Sequence, residues 1–120
     1  MLSTNATWFD WQAGSRNRLL YTDGFDIHAY DPQTQADDTL TRVSDEITGL
    51  AWDRTGGAAV FAQDARLSAI ELDVRDGRNV TPLAEGRGIR RVMTGENGKS
   101  AFFFGTVNKK EGVYKRQLER

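Results

Sequence analysis

Ile47-Thr48-Gly49-Leu50-Ala51-Trp52-Asp53, followed after a short polar stretch by Ala58-Ala59-Val60-Phe61-Ala62-Gln63, is the stretch whose reading decides the fold. The first run reads as a short strand, Gly56-Gly57 as a tight turn, and the small and aromatic run after it as a second strand. Further along, Leu67 to Leu72 reads as a third strand and Asn79 to Ala84 as a fourth, joined through Asp76-Gly77, where glycine supplies the positive φ of a hairpin turn. The pattern recurs on both sides. Ala59-Val60-Phe61-Ala62 returns as Ala101-Phe102-Phe103-Phe104 and is foreshadowed by Leu19-Leu20-Tyr21, while Glu46-Ile47-Thr48-Gly49-Leu50 returns as Gly88-Ile89-Arg90-Arg91-Val92. The spacing is about 42 residues.

Short strands repeating at this period read as blades of an all-β propeller. The expected layout is a single propeller segment over residues 1–120: three four-stranded antiparallel repeats at 5–46, 47–88 and 89–120, the last incomplete. The first repeat runs Thr7 to Trp11, Arg18 to Thr22, Phe25 to Tyr30 and Thr39 to Val43. The third runs Ile89 to Thr94, Ala101 to Gly105 and, beyond a longer loop from Thr106 to Gly112, Val113 to Leu118. Nothing then remains for a fourth strand. Met1-Leu2-Ser3-Thr4 aligns with the tail of a fourth strand at Arg42-Val43-Ser44-Asp45, so another chain's amino terminus is expected to supply part of that edge.

Propellers close with roughly four to eight blades, and uncovered blade faces and sheet edges seek partners. Three blades are too few, so the ring is expected to close by homo-oligomerisation, a homodimer giving six blades and a homotrimer nine. Excision from a longer propeller is the alternative.

The run Ile47 to Asp53 before Ala59-Val60-Phe61-Ala62, and Gly95-Glu96-Asn97-Gly98-Lys99 before Ala101-Phe102-Phe103-Phe104, resemble the TolB-like propeller repeat. That repeat opens with a strand, turns through a proline-aspartate-glycine-lysine type of sequence and continues with an apolar strand; here no copy carries the proline. Ala69 to Val80 is also similar to the propeller that follows PEGA modules in bacterial envelope-associated proteins. The likeness to WD repeats is weaker, because Trp52-Asp53 ends a first strand and the usual Gly-His pair is missing. The resemblance implies a bacterial binding or scaffolding propeller, possible envelope association in a longer parent, and no catalytic residues.

Composition agrees with a globular unit. Among 120 residues, 38% are hydrophobic, and 16 basic residues face 17 acidic ones, which gives no bulk pull toward nucleic acid or anionic membranes. The absence of cysteine removes disulfides, thiolate nucleophiles and zinc-thiolate sites, and leaves the compartment open. The amino terminus lacks the pattern of a signal peptide, and no run approaches the roughly 18 apolar residues of a membrane span.

Candidate chemistry is sparse. His28, the single histidine, cannot by itself build a triad or a three-ligand metal site and reads as structural. Asp23, Asp31, Asp64 and Asp73 recur in turns, where aspartate bonds its own downstream amides. Gly95 to Ser100 lacks the glycine spacing of a phosphate loop. Trp11 and Trp52 are repeat equivalents expected between blades, with Trp8 the freest for ligand stacking.

What remains is a non-enzymatic binding or scaffolding module, because propeller-like scaffolds place specificity on their loops. The expected binding face carries Asp23, Phe25, Asp64, Arg66, Arg87, Asn108, Lys109 and Lys110, with Arg90 and Arg91 at the channel mouth offering guanidinium to an anion. No cofactor and no metal are implied. Two readings compete: a hydrolase or glycosidase with a composite channel site, for which the inner strands offer only Asp10 and Asp53, and a propeller fragment whose sole activity is assembly, with no ligand.

Overall fold

The computed structural model describes residues 6–11, 18–52, 58–71, 80–95 and 100–117. The turns expected at Gly14-Ser15, Gly56-Gly57, Asp76-Gly77 and Asn97-Gly98 lie outside the described residues, as do the chain's first and last few positions.

The described residues form eleven strands in three antiparallel sheets. The first sheet orders β1 (Trp8–Trp11), β2 (Leu19–Thr22), β3 (Asp26–Asp31) and β4 (Ala36–Arg42) side by side. The second does the same with β5 (Ile47–Trp52), β6 (Ala58–Gln63), β7 (Arg66–Glu71) and β8 (Val80–Glu85). The third holds β9 (Arg87–Thr94), β10 (Ser100–Val107) and β11 (Lys110–Gln117), three strands among the described residues. Pro82 lies in β8, the edge strand of its sheet, where a missing N–H is tolerated.

Alternation along the strands makes the seams. Leu20, Ile27, Ala29 and Leu40 of the first sheet meet Ile47, Leu50, Trp52, Phe61 and Ile70 of the second in one buried cluster. Ala51, Val60, Ala62 and Leu67 on the second sheet's other face meet Ile89, Val92, Ala101 and Phe103 of the third. Trp52 is only 2% exposed, and Trp8, expected to be the freest tryptophan, is half-buried against the same cluster. Trp11 closes β1, and its side chain, expected between blades, lies outside what the structure describes.

Hydrogen bonds at the repeat spacing tie neighbouring first strands together. Trp52 Nε1 donates to Asp10 O at 3.0 Å, the Trp52 amide donates to Asp10 Oδ2 at 3.0 Å, and Thr94 Oγ1 donates to Trp52 O at 2.6 Å. Thr48 Oγ1 donates to Ile89 O at 2.5 Å. Glycine permits this approach at Gly49, where a Cβ would stand 2.8 Å from the backbone nitrogens of both Arg91 and Val92.

One element differs from expectation. The long loop from Thr106 to Gly112 is instead the continuation of β10 and β11, which pair without a break from Ser100↔Gln117 to Val107↔Lys110. Asn108 and Lys109 alone make the turn, with φ of 51° and 68°, the left-handed pair of a two-residue hairpin. No glycine marks this turn, and Lys110-Glu111 has no apolar alternation, so the segment reads as loop from residue types alone.

Candidate functional site

At one end of the strands, three chain segments converge between the second and third sheets: the β6–β7 turn, the β8–β9 connection and the β10–β11 turn. Backbone bonds hold them together. Gly86 N donates to Ala65 O at 3.0 Å, Ile89 N to Asp64 O at 3.1 Å, and Gly88 N to Asp64 Oδ1 at 3.2 Å. Gly86 is pressed so close to the third sheet that a Cβ would stand 2.5 Å from Thr106 O. The junction leaves a cleft of about 460 Å³ walled by Arg66, Glu85, Val107 and Asn108, and a neighbouring one of about 440 Å³ walled by Arg87, Thr106, Asn108 and Lys109.

Four of the residues expected on the binding face, Arg66, Arg87, Asn108 and Lys109, are therefore brought together. Arg66, Arg87 and Lys109 are exposed, with Glu85 as a single acidic counterpart in the wall. Among the described residues, no hydrogen bond or ion pair engages these three cations. Lys110 follows directly as the exposed first residue of β11.

The other expected residues lie apart. Asp64 anchors the β8–β9 connection as described. Asp23 and Phe25 sit on the equivalent turn of the first sheet, where Asp23 Oδ1 accepts from the amides of Asp26 and Phe25 at 3.0 and 3.1 Å. Those amides hold the Asp23 carboxyl below its ordinary range, the Asp26 bond contributing most. Phe25 is 48% exposed beside it. Arg90 turns across the outer face of the third sheet, its guanidinium 4.5 Å from the Phe104 ring centroid and its Nη1 donating to Gly88 O at 2.8 Å. Arg91 is exposed at φ 56°, in the irregular stretch of β9 where the pairing with β10 shifts.

A second polar group, on the outer face of the first sheet, was not foreseen. Tyr21 Oη donates to Asp37 Oδ2 at 2.6 Å, and the Tyr21 ring stacks on His28 with centroids 4.8 Å apart. His28 Nδ1 lies 3.2 Å from Thr39 Oγ1 and 3.7 Å from Asp37 Oδ1, and Nε2 lies 3.9 Å from Asp26 Oδ2. Arg42 closes the group, donating to both oxygens of Asp26 at 2.7 and 3.3 Å. Burial, then the bond to Asp37 and its negative charge, push the Tyr21 phenol well above its ordinary value near 10. These residues come from three strands, and a repeat spacing carries no sign of their meeting.

Donor atoms of Asp23, Asp26 and His28 lie within 4.8 Å of one another. They do not fit a cation: Asp26 is already matched by Arg42, and Asp23 Oδ1 by two amides. Of the two carboxylates an enzyme reading would use, Asp10 accepts from the Trp52 amide and Asp53 lies outside the described residues.

No protein-family model and no curated protein sequence matches this chain. Solved structures do. The chain is similar to hydrazine synthase of Kuenenia stuttgartiensis (TM-score 0.72, 13% identity, 92% of this chain and 32% of that one). It is similar to TolB of Acinetobacter baumannii (TM-score 0.72, 13% identity, 94% and 30%) and to a chain of a nidogen–laminin complex (TM-score 0.70, 12% identity, 92% and 43%). The chain thus spans about a third of the length of the structures it matches. At these identities the likeness is one of fold, and the three sheets are β-propeller-like blades.

Proposed function

We propose that this chain is a non-enzymatic, self-assembling unit of propeller blades whose loop face binds an acidic segment of a partner protein. The observation that carries the binding site is the convergence of Arg66, Arg87 and Lys109 on adjoining clefts at the junction of the second and third blades. Guanidinium groups suit this role because their planar forks meet carboxylates with two hydrogen bonds at once. Asn108 adds an amide that can donate to a peptide carbonyl and accept from a peptide N–H. The β6–β7 turn and the β8–β9 connection are hydrogen-bonded to each other, so their backbone is already placed, and the ordering that binding demands falls on the three cationic side chains.

Exposed apolar surface supports the self-assembly reading: large exposed apolar side chains lie on the outer faces of the first and third sheets, Phe9 on the first and Met93 and Val113 on the third.

Titration calorimetry with a hexaglutamate peptide at low salt tests the site. Binding is expected to weaken at least tenfold in an Arg66→Ala/Arg87→Ala variant and to weaken steadily as salt is raised. Equal affinity of the wild type for hexaglutamate and for an uncharged peptide of the same length would overturn the assignment.

A further inference from the structure

We infer that self-assembly runs head to tail, the outer face of the third sheet receiving the outer face of the first sheet of a second copy. The inference rests on the self-assembly reading and names the two surfaces that meet.

Phe103 points into the seam with the second sheet, so Phe102 and Phe104 face the other way. Strand pairing extends them into two rows across the sheet, Arg90–Phe104–Val113 and Met93–Phe102–Lys115. The face is aromatic and aliphatic at its centre, with Met93 66% and Val113 71% exposed; its charges are the cations Arg90 and Lys115 and, in the end row Arg87–Thr106–Glu111, one further cation and one carboxylate.

The first sheet offers the complement. Leu20 and Ile27 point into the seam, which leaves the row Phe9–Tyr21–His28–Thr39 and, beside it, Leu19–Tyr30–Asp37 on the outer face. Phe9 is 71% exposed, and on the same side Arg42 matches Asp26, which leaves Asp37 as the carboxylate without an arginine or lysine among the described residues. Asp37 accepts from Tyr21 and keeps further lone pairs for an incoming cation.

Charge selects the pairing. Two third-sheet faces would each bring the cations Arg87, Arg90 and Lys115 against one carboxylate, Glu111, whereas the mixed pairing sets that excess of cations against Asp37 around an apolar centre. It also repeats what the molecule does internally. Both internal seams join one face of a blade to the opposite face of the next, with the bonds Trp52 Nε1→Asp10 O and Thr94 Oγ1→Trp52 O at equivalent places. An intermolecular seam of the same sense continues that operation, and such a heterologous contact makes rings when its rotation closes.

Mass by light scattering on the wild type, on Phe9→Glu and on Met93→Glu/Val113→Glu tests this, with far-UV circular dichroism confirming that each folds; Phe9→Ser and Val113→Ser serve if either acidic variant does not. Each variant should need at least tenfold higher concentration to associate. An equimolar mixture of the two should form a one-to-one complex, since each supplies the face the other has lost. Dissociation by only one variant, with no recovery on mixing, would overturn the head-to-tail pairing and leave self-assembly standing. A wild type that stays monomeric at every concentration would overturn both.

Discussion

The two sides of the first sheet are made by alternate residues of the same strands, and they are held in opposite ways. On the seam side, Leu20, Ile27, Ala29 and Leu40 are dry and packed against the second sheet. On the outer side, Tyr21, Asp26, His28, Asp37 and Arg42 form a hydrogen-bonded group that satisfies its own polarity. The seam derives its energy from area removed from water. The outer side derives order from directional bonds between partly solvated groups, whose net worth is small. The fold therefore depends on its seams, while the outer face is free to vary in chemistry and to discriminate among partners.

The sharpest way to break this contrast is at Trp52. Trp52→Ala removes the largest buried side chain and its bond to Asp10 O, and a loss of about 3–5 kcal/mol in urea unfolding is expected. A loss below about 1 kcal/mol would mean that the seam is not what holds the blades together. Gly49→Ala comes next. Its Cβ would meet the Arg91 and Val92 amide nitrogens at 2.8 Å, so the second and third blades must move apart at about 1–3 kcal/mol, read as a lowered Tm.

On the outer face, effects shrink. Tyr21→Phe is expected to cost about 0.5–1.5 kcal/mol through the lost bond to Asp37. It also changes the response to alkali. Because the folded state raises the phenol's pKa, the associated stability is fully present below the ordinary value near 10 and is lost as pH rises through the folded value. The wild type should therefore lose stability faster than Tyr21→Phe above pH 10. Arg42→Ala, which removes an exposed partner of Asp26, should have the smallest effect of these substitutions, and less still at high salt, read as a shift in Tm. If it destabilised the chain as much as Trp52→Ala, the ranking of seam over outer face would be reversed.

Much of the architecture was legible in residue order. The strand Ala58 to Gln63 begins and ends where its small and aromatic run does, because a strand buried on both faces must be apolar throughout. The hairpin at Asn108-Lys109 was not legible, since Asn108 favours positive φ but Lys109 does not, and the pair lacks the glycine that marks such a turn. The cationic cleft was half legible. Arg66, Arg87, Asn108 and Lys109 were singled out as loop residues of successive repeats, but their adjoining walls depend on Gly86 and Asp64 drawing the β8–β9 connection against the neighbouring turns.

The sequence by itself determined the repeat, the strand order within each repeat and the apolar residues of the seams, because period and alternation are properties of a chain read in one dimension. Tertiary structure alone decided which polar residues meet. Tyr21 and Asp37 are 16 positions apart, and Arg66 and Lys109 belong to different sheets. Their proximity depends on how hairpins fold back and how sheets stack, and both are settled by packing and backbone hydrogen bonds rather than by any local preference of the residues concerned.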